Sequence, residues 1–339
     1  MFRGVYYWKL CGKGRVLMRL LKSIDIKKAA SWAGSLLMVV SLGFILRRIL
    51  QTHGDVDFTV FSNPVILAAL LSVALLEGTG IVFASLNYRA LVKNISGIRV
   101  KSPLAVTTYT VSNLYKYIPG GVMYVLGRNK MAIDTDNLSH GKVAFATFIE
   151  GALFAIAAGV IAVAFSFEHS ASYIRDEVGI PIGFIIIVTT AALTAGFLVY
   201  RFRNRIAAFF RNLRNDTRDI RWTVLIKRFA CAFVLIFLWA FSFLATLMLL
   251  GQNVTFGMGI TVMGLYMLSW VAGFLTPGAP SGLGVREVVM LMFMANTLNE
   301  GILISAMFMH RMLTVVGDVS AYGMALAYAQ VRKRIRNTE

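Results

Sequence analysis

Two stretches of this chain place an arginine at the same distance after a Pro-Gly step. Pro-Gly at 119–120 is followed by Arg128 and Pro-Gly at 277–278 by Arg286, with seven residues between glycine and arginine in each. Arginine is permanently charged, and its planar fork of donors matches a phosphate group at two points. A helix that starts beside such a break adds free backbone N–H groups, and glycine lets the backbone approach a ligand closely. The predicted chemistry is the binding of a phosphate-bearing anion.

The composition places this chemistry in a membrane. The chain has 339 residues, of which 58% are hydrophobic and 15% are charged, against about 25% charged in soluble domains. The net charge of +18 comes from basic residues in short loops between apolar runs, which is typical of membrane topology rather than of nucleic-acid binding. The four histidines show no metal-ligand spacing and no nucleotide-binding motif is present, so we predict no cofactor and no metal. The fold class expected is an all-α polytopic membrane protein.

Basic loops and apolar runs predict six full spans with both termini in the cytoplasm. The spans are expected at about 31–50, 64–86, 143–167, 181–200, 229–250 and 301–330. The predicted order is a basic cytoplasmic tail (1–30), a membrane repeat (31–167), an outer loop (168–180), a second repeat (181–330) and a basic tail (331–339).

The two Pro-Gly segments, 103–127 and 257–298, are predicted to be re-entrant hairpins. A helix exposed to lipid cannot contain such breaks, because the freed backbone groups would lack hydrogen-bond partners. Basic residues flank the first segment on both sides, which favours entry from the cytoplasm and return to it. The last span must begin outside for its basic end to lie inside, so the second hairpin enters from the opposite face. This pattern is typical of inverted-repeat transporters, with the binding site between the repeats.

The residues predicted to bind the anion lie around these two breaks. They are Arg128, Arg286, Glu287, Arg311, Lys116 and Tyr117, with the glycines Gly120, Gly121, Gly278, Gly282 and Gly284. The alternative for Arg128 is a cytoplasmic anchor, and for Arg286 an ion pair with Glu287 or another acid. For Lys116 and Tyr117 the alternative is an ordinary interfacial anchor.

Ionisable residues within the apolar spans form a second group of candidates. Each costs at least ~2.5–3.5 kcal/mol at the centre of a span, so a function or a specific partner is expected. Glu77, Glu150 and Asp318 are predicted to serve coupling or gating, with protons as one coupling ion. Glu150 and Arg311 are expected to pair across the two halves, either as packing or as a pair that exchanges for the ligand. His310 is a candidate proton carrier, with a merely hydrogen-bonded histidine as the alternative.

The second Pro-Gly stretch, 277–287, resembles the Pro-Gly…Gly-x-Arg-Glu signature of a flippase-like membrane family. That family is named for the transmembrane region of lysylphosphatidylglycerol synthases, and 117–128 resembles its first Pro-Gly segment. The resemblance implies multi-span proteins that handle anionic lipids, aminoacylated phospholipids or polyprenyl-linked sugars. Some members carry a soluble aminoacyl transferase domain, which is not expected here because the sequence stops at Glu339.

The predicted function is a flippase for an anionic phospholipid or a polyprenyl-phosphate-linked glycan, located in the inner (cytoplasmic) membrane. An enzyme is not favoured, and no nucleic acid is expected as a partner. One alternative is a membrane-embedded glycosyl- or phospho-transferase that uses Asp55, Asp57 or Glu287. The other is a non-catalytic scaffold that holds a cytoplasmic glycosyltransferase through the basic stretch 201–228.

Overall fold

The computed structural model describes residues 62–117, 123–176, 221–276 and 282–338, and side chains in these ranges except Met123, 167–176 and 336–338. Its helices are α1 (Pro64–Ser96), α2 (Ser102–Leu114), α3 (Met123–Arg128), α4 (Lys130–Ile133), α5 (His140–Asp176), α6 (Trp222–Leu249), α7 (Phe256–Leu275), α8 (Val285–Met294) and α9 (Glu300–Thr338), with a 3-10 turn at Tyr115–Tyr117. No β-strand occurs within these ranges.

Five helices are long and apolar enough to cross a membrane, namely α1, α5, α6, α7 and α9. Together they confirm the all-α polytopic class. Four of the predicted spans fall on α1, α5, α6 and α9, and each helix extends beyond its predicted bounds. The predicted spans at 31–50 and 181–200 lie outside the described residues, as does the basic tail 1–30. Of the predicted outer loop, residues 168–176 continue α5 and only 177–180 lie outside the described residues.

Local sequence explains where α1 begins and ends. The side chain of Asn63 accepts a hydrogen bond from the Val65 N–H at 2.9 Å, and Pro64 occupies the first helical position, where no N–H is needed. At the other end, Gly97 adopts φ +74° and its N–H returns to the Lys93 carbonyl. Such a left-handed glycine is a common helix stop. The basic residues predicted to face the cytoplasm therefore begin on the last turns of α1 itself.

Each predicted Pro-Gly segment consists of two helices rather than one. The first comprises α2, the 3-10 turn and α3, and the second comprises α7 and α8. With 13 residues, α2 is shorter than the roughly 20 residues that a crossing requires, whereas α7 has 20 and meets that length. The Pro-Gly steps themselves, with Gly120, Gly121 and Gly278, lie outside the described residues. The re-entrant course of both segments stays a prediction.

The packing of the helices is the same when the two halves of the chain are exchanged. In the first half α1, α2, α3 and α5 correspond by order to α6, α7, α8 and α9. Under this correspondence, contacts between helices have counterparts that are also contacts. The contact of α1 with α9 corresponds to that of α6 with α5, and the contact of α2 with α9 corresponds to that of α7 with α5. The contact of α1 with α5 corresponds to that of α6 with α9. The helix α1 also packs on its own counterpart, α6. This exchange supports the prediction of two repeats.

Glycines bring helices of the two halves into close contact. A Cβ added to Gly317 of α9 would lie 2.8 Å from the Glu77 Cβ of α1, and one added to Gly78 would lie 2.8 Å from the Gly317 carbonyl oxygen. Gly264 of α7 is equally close to Phe165 of α5. Small residues at helix crossings replace the hydrophobic driving force that a membrane lacks. Because Glu77 precedes Gly78, the α1–α9 crossing also fixes the backbone of this buried acid.

Candidate functional site

A cavity of about 530 Å³ lies between the two halves, within the usual size range of small-molecule sites. Every long described helix of both halves contributes to its wall. Two aromatic pairs form much of the apolar lining: Phe154 stacks on Trp239 at 5.6 Å, and Trp270 stacks on Phe274 at 5.2 Å between ring centroids. The charged side chains on the wall are Glu77, Lys116, Arg128, Glu150 and Arg286. Both arginines predicted to bind the anion therefore lie on the wall of one cavity, and their binding role stays a prediction.

Arg128 reaches the cavity from the last residue of α3, but a carboxylate compensates its charge. Its NH1 group donates to Oε2 of Glu150 on α5, and both side chains are almost completely buried. The rings of Tyr109 and Tyr88 lie 4.2 and 4.6 Å from the guanidinium carbon, and that of Tyr124 lies at 5.4 Å. Tyr109 also donates its hydroxyl proton to Glu150 Oε1 at 3.0 Å. Arg128 is therefore a buried, partnered cation and not a cytoplasmic anchor.

Arg286, at the second position of α8, has no carboxylate within 4 Å among the described residues. Its guanidinium carbon lies 5.7 Å from the centroid of the Trp270 ring. Its Nε is buried and has no hydrogen-bond partner among the described residues. A buried donor without a partner is costly, and this one belongs to an arginine that lines the cavity.

Two glycines hold the stem of Arg286 in place. Gly282 adopts φ +67°, and a Cβ on it would lie only 2.8 Å from the Cα of Gly273 on α7. A Cβ on Gly273 would lie 3.0 Å from Arg286 Cγ. The backbones of α7 and of the turn before α8 thus meet where the arginine passes between them. Only glycine satisfies both the left-handed backbone and this spacing.

Glu287 faces away from Arg286 and has two other partners. Its Oε2 accepts from the Gly284 N–H at 2.8 Å, which caps α8, and Arg311 Nε of α9 donates to its Oε1 at 2.5 Å. Gly284 itself has φ +86°, again a glycine conformation. The alternative in which Glu287 neutralises Arg286 is therefore wrong. Neither Glu287 nor Arg311 is part of the cavity wall.

Asp318 of α9 joins the second half of the chain to the end of α2. It accepts from Asn113 Nδ2 at 2.6 Å and from the Tyr117 hydroxyl at 2.5 Å, and it pairs with Lys116 Nζ at 2.7 Å. Its side chain is completely buried. Lys116 and Tyr117 are thus bound to a protein carboxylate and are not simple interfacial anchors.

The buried carboxylate of Glu77 on α1 has no arginine or lysine partner in the described part of the chain. Ser242 of α6 donates to its Oε1 at 2.5 Å, and His310 Nε2 of α9 lies 2.9 Å from the Ser242 oxygen and 3.6 Å from Glu77. The Tyr266 hydroxyl of α7 lies 3.3 Å from His310 Nδ1. The alternative for His310, a histidine buried in hydrogen bonds, agrees with these contacts.

The comparison with protein families identifies the chain at this point. Residues 31–319 match the family described as the lysylphosphatidylglycerol synthase TM region. The chain belongs to this family. No curated protein matches it. The match and the five long apolar helices together establish a multi-pass membrane protein.

One predicted contact of this family member is wrong. Glu150 and Arg311 do not pair across the halves, since Glu150 pairs with Arg128 and Arg311 with Glu287. Each half instead has its own ion pair. Arg128 of α3 pairs with Glu150 of α5 in the first half, and Glu287 of α8 pairs with Arg311 of α9 in the second. The charges are exchanged between halves: the short helix carries the base in the first half and the acid in the second.

Several residues of the site have no signal in the sequence. Tyr88 and Tyr109 lie in ordinary apolar helical patterns, yet they enclose Arg128. Ser242 looks like any small residue of a membrane helix, yet it links Glu77 to His310. Trp270 is one of many aromatic residues in α7. Each of these residues lies on a different helix from the charge it contacts, so no spacing along the sequence marks it.

Proposed function

We propose that this protein is a flippase that binds the phosphate headgroup of an anionic lipid, either a phospholipid or a polyprenyl-phosphate-linked glycan. The headgroup occupies the cavity between the two halves while the apolar tail stays in the bilayer. The protein carries out no covalent chemistry on the lipid in this proposal. Its family membership and its long apolar helices support a protein that acts within the membrane, and the cavity supports the binding of a headgroup.

The observation that carries the proposal is the state of charge of the cavity. The buried carboxylates Glu150, Glu287 and Asp318 each have a cation at salt-bridge distance, whereas Glu77 has no arginine or lysine there among the described residues. Arg286 has no carboxylate at salt-bridge distance among the described residues. A phosphate in the cavity would give this guanidinium a directly contacting anion that matches its planar fork.

The remaining wall suits the rest of an amphiphilic ligand. Trp270 and Phe274 stack beside Arg286, and Trp239 and Phe154 stack elsewhere on the lining. Flat aromatic surfaces accept the apolar faces of glycerol or sugar rings and keep water away from the charged contact. Low polarity around the arginine strengthens its attraction for an anion.

The residues of the transferase alternative do not form a site in the described part of the chain. Glu287 is taken up by Arg311 and by the Gly284 N–H. Asp55 and Asp57 lie outside the described residues, as does most of the 201–228 stretch on which the scaffold alternative depends. No geometric observation therefore favours a second function.

Lipid movement in reconstituted vesicles tests the proposal. The protein is placed in phosphatidylcholine vesicles that contain either phosphatidylglycerol or a polyprenyl phosphate with a fluorescent label on its tail. A membrane-impermeant reductant then destroys the outer label, so that later loss of fluorescence reports movement between leaflets. We expect the wild type to move at least one of the two probes, and the probe that moves identifies the lipid class.

The decisive variant is Arg286→Gln, with Arg332→Gln at the exposed end of α9 as the matched control. A charged hydrogen-bonded contact is worth about 1.5–3 kcal/mol, so the rate with Arg286→Gln should fall about tenfold or more. Arg286→Lys keeps the charge but loses the fork, and an intermediate rate is expected. Equal rates for the wild type and Arg286→Gln, or no movement of either probe by the wild type, would refute the proposal.

A further inference from the structure

A continuous chain of hydrogen bonds on one wall of the cavity joins four helices from both halves. It runs from Glu77 of α1 through Ser242 of α6 and His310 of α9 to Tyr266 of α7. All four side chains are buried, and Glu77, His310 and Tyr266 also line the cavity. The carboxylate therefore has access to the cavity although it is enclosed by protein on its other sides.

The hydroxyl of Ser242 has two acceptors within reach. One is Glu77 Oε1 at 2.5 Å and the other is the Trp239 carbonyl oxygen at 2.8 Å. When Glu77 is ionised, Ser242 donates to it. When Glu77 carries a proton, that proton is donated to the Ser242 oxygen, and the serine hydroxyl turns to the Trp239 carbonyl. A hydroxyl oxygen can accept two hydrogen bonds while donating one.

The histidine satisfies the same chain in both states. In the tautomer with its proton on Nε2, His310 donates to the Ser242 oxygen, which lies 2.9 Å away, and its Nδ1 accepts from the Tyr266 hydroxyl at 3.3 Å. Neither bond has to change when Glu77 gains or loses a proton. Because an unpartnered buried polar group is costly, a site that stays fully paired in both states can exchange a proton cheaply. Glu150 and Asp318 differ, since a proton on either would leave Arg128 or Lys116 without its counter-charge.

The charges around Glu77 connect it to the headgroup site. The charged groups that act on it are Lys116, Asp318 and Arg286, and those that act on His310 are Arg286 and Arg311. Lys116 is paired with Asp318 and Arg311 with Glu287, which reduces the field of both pairs. From α6 and α7 the facing groups are Ser242 and Tyr266. Arg286 is thus the unpaired positive charge on the cavity wall that Glu77 shares, and a nearby positive charge favours the ionised form of a carboxyl group.

We propose that Glu77, with Ser242 and His310, is a proton site coupled to headgroup binding at Arg286, so that lipid and proton cross the membrane together. This inference rests on the proposed flippase function. An anion bound to Arg286 offsets a positive charge on the cavity wall that Glu77 shares, which favours the neutral carboxyl group, and Glu77 then takes a proton from water in the cavity. When the lipid leaves on the other side, Arg286 is uncovered again and Glu77 releases that proton to the water there.

A pH difference across the vesicle membrane tests the coupling separately from the flippase function. Label movement by the wild type without a pH difference tests the flippase function alone. With an imposed pH difference, we expect the wild type to accumulate the labelled phosphatidylglycerol or polyprenyl phosphate in the leaflet facing the more alkaline side. Glu77→Gln should lose this bias, whereas Asp136→Asn in the exposed turn between α4 and α5 should keep it. Movement by the wild type with no bias would overturn the inference and leave the proposed function standing.

A second measurement covers the case in which Glu77→Gln moves no lipid. Infrared difference spectra are recorded when phosphatidylglycerol with ether-linked tails, which carry no carbonyl group, is added to the purified protein in detergent. We expect the C=O band of a protonated carboxylic acid to grow in the wild type and in Asp136→Asn, and to be lost in Glu77→Gln. No such band in the wild type, or an undiminished band in Glu77→Gln, would overturn the assignment.

Discussion

The ion pair between Arg128 and Glu150 gives a prediction whose size follows from its surroundings. Arg128→Met removes the cation and leaves the Glu150 carboxylate with the Tyr109 hydroxyl as its described partner. The side chains of the pair are only 4% and 5% exposed, so water in the cavity can replace only part of the lost contact. Breaking a buried pair in this way costs about 3–5 kcal/mol.

The double variant Arg128→Met/Glu150→Gln should recover most of this loss. It removes both charges, and the amide oxygen of glutamine can still accept from Tyr109. Residues in direct contact commonly show interaction energies of about 0.5–3 kcal/mol, and a buried charge pair is expected at the upper end. The double variant should therefore be more stable than Arg128→Met alone.

Thermal unfolding in detergent, followed by tryptophan fluorescence at one fixed heating rate, measures these differences. A fixed rate is needed because unfolding of large proteins is commonly irreversible. The control cycle combines Glu150→Gln with Arg311→Met, which do not pair with each other in the structure and should have additive effects. Additive effects of the Arg128 and Glu150 changes, or strong coupling between the Glu150 and Arg311 changes, would refute this account of the pairing.

Two further predictions concern the glycine in the turn before α8 and the carboxylate of Asp318. Gly282→Ala should destabilise the protein and slow lipid movement, because the left-handed backbone costs about 1–2 kcal/mol and the added Cβ would press on Gly273. Gly323→Ala, within α9 and with nothing within 4 Å of an added Cβ, should not destabilise the protein or slow lipid movement in the same unfolding and vesicle assays, because alanine favours a helix over glycine. Asp318→Ala should lower the unfolding temperature by the equivalent of about 2–3 kcal/mol because the donors facing it lose their acceptor. Asp318→Asn should lower the unfolding temperature less, because its amide oxygen still accepts from the donors around it. An equal fall in unfolding temperature for the two variants would contradict the contacts described for Asp318.

The sequence was informative about helices and about where charges gather. Uninterrupted apolar runs predicted α1, α5, α6 and α9, although amphipathic turns continue each helix well past the apolar part at one end. Arg128 and Arg286 were predicted to bind the ligand, and Glu77 and Glu150 to serve coupling or gating, and all four line the same cavity. A charge within an apolar run is expensive unless it has a specific role or partner, which is why these residues could be singled out from the sequence, while their roles stay predictions.

The sequence could not show which charges pair. Arg128 and Glu150 are 22 residues apart, and Glu287 and Arg311 are 24 residues apart. Glu150 and Arg311, which were expected to pair, occupy related positions in the two halves and so were an equally plausible pair. Choosing between them requires the crossing points of the helices, such as the contact of Gly78 with Gly317. The exchange of acid and base between the two halves also cannot be read from a Pro-Gly pattern, because only one side of each pair lies near the motif.

The most direct measurement is an experimental structure of the protein in lipid nanodiscs that contain the anionic lipid moved in the vesicle assay. The account predicts density for a phosphate group inside the cavity, within hydrogen-bond distance of the Arg286 guanidinium, and the loss of that density in Arg286→Gln. Lipid density confined to the outer surface of the helices, with the cavity occupied by water alone, would contradict it.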